Sequence, residues 1–218
     1  MVLPRISFFI KKILLKKIIN KIPLALIFCR LLFGIIILAL AINRTPNFKT
    51  VAVVLFTLGL LSDIFDGIIA RKLNISTTFL RRLDSTIDQL FFMLVAIAAY
   101  INCSSFFKEN KIALIILLST EALTYLVSFI KFKKEVATHA IASKIWTLFL
   151  FATIIQILNT CNAGILFTIT FYMGLLTRLE IVGIILLLNT WTNDVPSIYH
   201  AYLLRKGKEI KRNKLFNG

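Results

Sequence analysis

Acidic residues are scarce in this chain. Ten Asp and Glu stand against 26 Lys and Arg in 218 residues, a formal net charge of +16. Histidine occurs twice and cysteine three times, and Cys29, Cys103 and Cys161 show neither metal nor redox spacing. That excludes a His/Cys zinc centre and a paired-thiol active site, and leaves the cysteines as small apolar residues. Four prolines and eight glycines are too few for a Pro/Gly-rich linker, and no internal repeat is present. What fills the sequence is hydrocarbon. It is 58 % hydrophobic with a mean hydropathy of +0.86, above the apolar share of soluble domains.

Runs of roughly 20 apolar residues recur, long enough to cross about 30 Å of hydrocarbon. Six are read, at about 23–43, 49–70, 84–102, 112–130, 145–160 and 164–190. Little remains for a soluble domain, so the expected architecture is one all-α integral membrane domain over 1–218 with short loops. The last two spans are separated by a tight hairpin around "NTCNAG". Residues 1–22 interleave apolar side chains with Lys11, Lys12, Lys16, Lys17 and Lys21. This pattern fits an amphipathic helix lying in the interface, and no small-residue cleavage site marks it as a signal peptide.

The basic surplus follows the spans. With the N-terminus inside, the inner segments carry 20 Lys and Arg and the outer loops 4, while Arg30 and Arg178 lie within spans. That asymmetry predicts cytoplasmic termini and accounts for the charge by topology and anionic lipid rather than nucleic acid; the membrane expected is a bacterial cytoplasmic one.

Against this background four of the five aspartates fall between residues 63 and 88. Asp63 and Asp66 are three apart near the inner end of the second span, and Asp84 and Asp88 four apart at the start of the third. Each spacing puts its pair on one helix face. The two helices run in opposite directions across a loop of about a dozen residues, so all four carboxylates are expected around one point. An aspartate buried alone costs roughly 2.5–3.5 kcal/mol on insertion scales, and four together repel. Helix capping, or pairing with Arg71, Arg81 and Arg82, explains a single acid but not two facing pairs. A divalent-metal site does: carboxylate oxygens suit Mg²⁺ or Mn²⁺, and two ions sharing four carboxylates is an arrangement used in phosphoryl displacement. Gly59, Gly67 and Ala70 share the stripe of Asp63 and Asp66 and leave room beside the acids. Arg71 follows at the interface, with a guanidinium suited to phosphate oxygens. A lipid substrate carrying a diphosphate fits such a groove.

The run Asp63-x2-Asp66-Gly67-x2-Ala70-Arg71-x12-Asp84-x3-Asp88 resembles the signature of the CDP-alcohol phosphotransferases, D-x2-D-G-x2-A-R-x8-G-x3-D-x3-D. Seven fixed positions over 26 residues agree. The second glycine is replaced by Leu80. Before the first-span arginine only Pro23 and Arg30 of the family's usual stretch remain, and "SKIWT" keeps Lys144 and Thr147 of a G-K-x2-T pattern with Ser143 for glycine.

The resemblance implies transfer of a phosphatidyl or similar group from a CDP-linked lipid to an alcohol, releasing CMP, on a homodimeric scaffold whose site opens to the cytoplasm. It implies that Asp63, Asp66 and Asp84 hold the metals with Asp88 helping. Asp88 also becomes the base for the acceptor hydroxyl, and Gly67, Ala70 and Arg71 line the cytidine diphosphate pocket. Lys144 is placed to reach an acceptor phosphate. Two other functions compete: a cation-coupled transporter using the carboxylates, and a non-catalytic CDP-lipid-binding member. Acids near one interface and the lack of an inverted repeat weigh against the transporter. Retention of all four acids weighs against the non-catalytic member. Elsewhere, Glu121 and Arg178 read as an intramembrane pair fixing helix packing, or as a polar floor beneath an acceptor together with Glu180.

Overall fold

Three helices place the acids. In the computed structural model, which describes residues 21–210 except 74, 76, 135 and 137–139 and leaves aside the side chains at 78 and 81, the first unit contains α1 (Ile22–Ile42), α2 (Phe48–Lys72) and α3 (Thr78–Asn102). The expected interfacial helix at 1–22 lies almost wholly outside the described residues. Pro23 sits in the first turn of α1, where its missing N–H costs nothing. The buried residues of α1 are Pro23, Ile27, Arg30, Gly34, Ile37 and Ala41, alternating steps of four and three that keep one narrow seam inward. α2 also keeps a seam inward in steps of three and four, with Phe56, Gly59, Ser62, Asp66 and Ala70, and so does α3 with Ile87, Phe91, Val95 and Ala98. The remaining faces expose Leu32, Val54, Phe65 and Met93, as a lipid-facing surface requires.

α1 packs backbone-close against both α2 and α3. Those two meet through large side chains: Phe56 lies 5.6 Å from Phe91 and 5.7 Å from Phe92, centroid to centroid. Gly34 and Gly59 both face Phe91, and a Cβ on Gly59 would collide with its ring. The stripe of small residues thus admits an aromatic side chain at Gly59, where the sequence suggested space for a ligand or a neighbouring backbone.

Two boundaries differ from the hydropathy reading. α3 begins at Thr78, not near 84, because Thr77 caps it by accepting from the Leu80 N–H at 3.1 Å. The connection to α2 is therefore the five residues 73–77 rather than a dozen. Hydropathy measures the lipid-soluble stretch, while the helix continues through Arg81 and Arg82 to its cap. α3 ends at Cys103, which is disulfide-bonded and so is not the small apolar filler its spacing suggested.

The second unit, from Ser105 onward, holds α5 (Lys111–Phe132), α6 (Ile141–Thr160), α7 (Gly164–Leu187) and α8 (Ile198–Arg205), after a short α4 (Ser104–Glu109) at the boundary. α7 is central, packing on α5, α6 and α8. The expected tight hairpin joins α6 to α7: Cys161 turns left-handed at φ 55° and is disulfide-bonded, and the Gly164 N–H donates to Asn162 Oδ1 at 2.9 Å. Ala140, Ile184, Leu188, Val195 and Ala201 form a core where α7 and α8 meet. Six helices, α1, α2, α3, α5, α6 and α7, are long and apolar enough to cross a membrane. The protein is all-helical in its described residues and integral to a membrane.

Candidate active site

The acids continue the packing seams toward one end of the α2–α3 hairpin. Asp66 lies in the buried seam of α2, and Asp84 and Asp88 flank Ile87 on α3. All four converge on Arg30 of α1. Its Nη2 contacts Asp63 Oδ1 at 3.3 Å and pairs with Asp66 Oδ2; its Nη1 donates to Asp84 Oδ1 at 3.1 Å and pairs with Asp88 Oδ1. One terminal nitrogen serves each aspartate-bearing helix. The Arg30 side chain is 1 % exposed and that of Asp66 3 %, whereas Asp63, Asp84 and Asp88 keep between 30 % and 38 %. The site is closed beneath Arg30 and open above three of the acids. Nε of Arg30 is buried with no hydrogen-bond partner.

Asp63, Asp66 and Asp84 each bring a carboxylate oxygen within 4.8 Å of the other two. Asp88 joins the group through Arg30. Beside them, the Arg71 guanidinium folds back over Gly67, 3.6 Å from where a Cβ would stand. Gly67 is half-buried, Ala70 buried and Arg71 exposed. Leu80, at the position of the signature's second glycine, is half-buried in the first turn of α3. Lys144 stands exposed in the first turn of α6, in the second unit.

The family model for CDP-alcohol phosphatidyltransferase matches residues 20–192. The chain belongs to that family. No curated protein and no solved structure matches it. As a CDP-alcohol phosphatidyltransferase it is a transferase, in a family that moves a phosphate-linked group from a CDP-alcohol and uses divalent metal ions. The donor set of this family member fits such ions. Three convergent carboxylates are hard oxygen ligands, the chemistry Mg²⁺ and Mn²⁺ prefer.

The second unit carries a separate polar cluster. Arg178 Nε donates to Glu121 Oε2 at 2.6 Å, Nη1 donates to Thr177 Oγ1 at 3.0 Å, and the guanidinium stacks 3.7 Å from the Trp146 ring. Trp146 Nε1 donates to the Thr170 carbonyl at 2.9 Å. Gly174 makes room, since a Cβ there would stand 3.0 Å from the indole nitrogen. The Glu121–Arg178 pair is thus a packing device tying α5, α6 and α7.

Sequence reasoning assigned Arg30 no site role. It also read Lys131 and Lys134 as topology determinants. Lys131 Nζ in fact donates to the Ile185 and Leu186 carbonyls at 3.0 and 2.8 Å, capping the end of α7, and Lys134 sits 4.7 Å over the Trp191 ring. A lysine spaced 54 residues from its acceptor leaves no local signal.

Proposed function

We propose that this family member transfers a phosphatidyl or similar substituted phosphate group from a CDP-linked lipid, such as CDP-diacylglycerol, to an alcohol, in phospholipid biosynthesis. The observation that carries the reading is the convergence of four carboxylates from one helix hairpin on a single point. In the reaction the acceptor oxygen forms a bond to the lipid-side phosphorus, the bond to the bridging oxygen breaks, and CMP leaves. Asp63, Asp66 and Asp84 would hold one or two divalent ions, with Asp88 helping. Bound there, such ions would offset the diphosphate charge and favour CMP as leaving group.

Asp88 takes the proton from the acceptor hydroxyl, a role suited to its partial exposure. Arg71 grips phosphate oxygens, and Gly67, lacking a side chain, lets the diphosphate approach α2 between Arg71 and the acids. Ala70 keeps the wall of the pocket small. The role of Lys144 as a contact for an acceptor phosphate rests on the Ser143-Lys144-x2-Thr147 motif. The protein works as a homodimer in a bacterial cytoplasmic membrane, with its termini and site on the cytoplasmic side.

Purified protein with CDP-diacylglycerol, Mg²⁺ and a panel of alcohols is expected to release CMP and form one lipid product. Chelation abolishes the release, and Mg²⁺ or Mn²⁺ restores it. Donor binding without CMP from any acceptor would support the non-catalytic alternative.

A further inference from the structure

We infer that Arg30 is a resident counter-cation of the acid site: its guanidinium holds the four aspartates together, and divalent ions compete with it for the same carboxylates. The inference rests on the metal-site reading above and adds a residue that reading does not use.

α1 carries no acid of its own between Ile22 and Ile42, so a charged residue in its buried seam must find carboxylates on other helices. Arg30 finds four, two on each neighbouring helix, through one terminal nitrogen apiece. Three of them are the carboxylates that converge within 4.8 Å. A guanidinium and a divalent ion therefore draw on one donor set. Arg30, with Arg71 acting on Asp63, sets two positive charges against four carboxylates, which leaves the cluster undercompensated and favours further cations. All four contacts are charge pairs with aspartates, and charge is what an incoming ion replaces.

The alternative is a plain helix clamp, and metal affinity separates the two. A clamp lost by mutation loosens the site and weakens metal binding or leaves it alone. A competitor lost by mutation tightens it.

The test uses the full chain in detergent, with Mn²⁺ alone as the probe, and reads metal affinity by electron paramagnetic resonance and thermal unfolding with EDTA or Mn²⁺. Arg30→Met is expected to unfold at lower temperature in EDTA and to bind Mn²⁺ more tightly, by on the order of tenfold, the scale of one nearby charge removed. Its Mn²⁺-induced stabilisation is expected to exceed that of the unsubstituted protein. Arg30→Lys, which keeps a charge but not the fork, is expected to bind with intermediate affinity. A variant that folds only with Mn²⁺ present supports the inference, since the ion then replaces the arginine. Unchanged or weaker Mn²⁺ binding by folded Arg30→Met overturns it, as does failure to fold with or without Mn²⁺. If the unsubstituted protein binds no Mn²⁺, or Asp63→Asn/Asp66→Asn binds as well as it does, the metal-site reading itself fails.

Discussion

Phe91 of α3 occupies the space that a side chain on Gly59 of α2 would need. The ring lies one turn along the α3 seam from Ile87, beside Asp84 and Asp88, so this contact sets how closely the acid-bearing helices approach. Gly59→Ala is expected to lower stability by about 1–3 kcal/mol, the usual cost of overpacking, and to reduce turnover by spreading the acids. Adding Phe91→Leu should recover part of both losses. Thermal unfolding in detergent and CMP release, measured on all three variants, check this; an unaffected Gly59→Ala protein would refute it.

Asp63 and Asp88 are expected to fail differently. Either change to Asn should lower turnover by about 10²-fold or more, as removal of one preorganised electrostatic group does elsewhere. Asp63→Asn should also weaken binding of metal and CDP-lipid. Asp88→Asn should leave both nearly intact, because the amide keeps the shape but takes no proton. Metal and donor affinities for the two variants decide the matter, and equal losses would end the separate role of Asp88.

The charge asymmetry makes a topological prediction. Lys72 and Lys108 are both exposed at helix ends. In a Cys29→Ser background, Lys72→Cys should resist an impermeant thiol reagent in intact cells and Lys108→Cys should label. The reverse pattern would turn the site to the other side of the membrane.

Removing one partner of the Arg178–Glu121 pair should cost more than removing both. Arg178→Met leaves a carboxylate at span depth and is expected to destabilise by about 3 kcal/mol, at the lower end for a broken buried pair because Glu121 is 42 % exposed. Adding Glu121→Gln should restore part of that. Unfolding midpoints of the single and double variants give the coupling.

Much of this was legible because membranes simplify the code. Every span had to be about 20 apolar residues, so six were countable, and the aspartate spacings of three and four could only mean shared faces. The start of α3 was not legible, since a threonine cap lies outside the apolar stretch that hydropathy detects. Arg30 was missed for a different reason. Its partners lie 33 to 58 residues away on other helices, and no local pattern records such a contact. A signal did exist: an arginine inside a span with no acid on its own helix must be answered from elsewhere, and the clustered aspartates were the nearest acids in the sequence. The role of Lys131 left no comparable trace.

The five-residue connection between α2 and α3 also bears on the order of assembly. Both acid pairs belong to one hairpin, and their cation comes from the helix just before it. The parts of this site are therefore close neighbours along the chain, so little loop entropy opposes their meeting. Asp88 is synthesised with more than half of the chain still to come. Three inserted helices are enough to bring the carboxylates and Arg30 together, so a ribosome-bound fragment ending soon after Ser104 already contains every residue of the acid cluster.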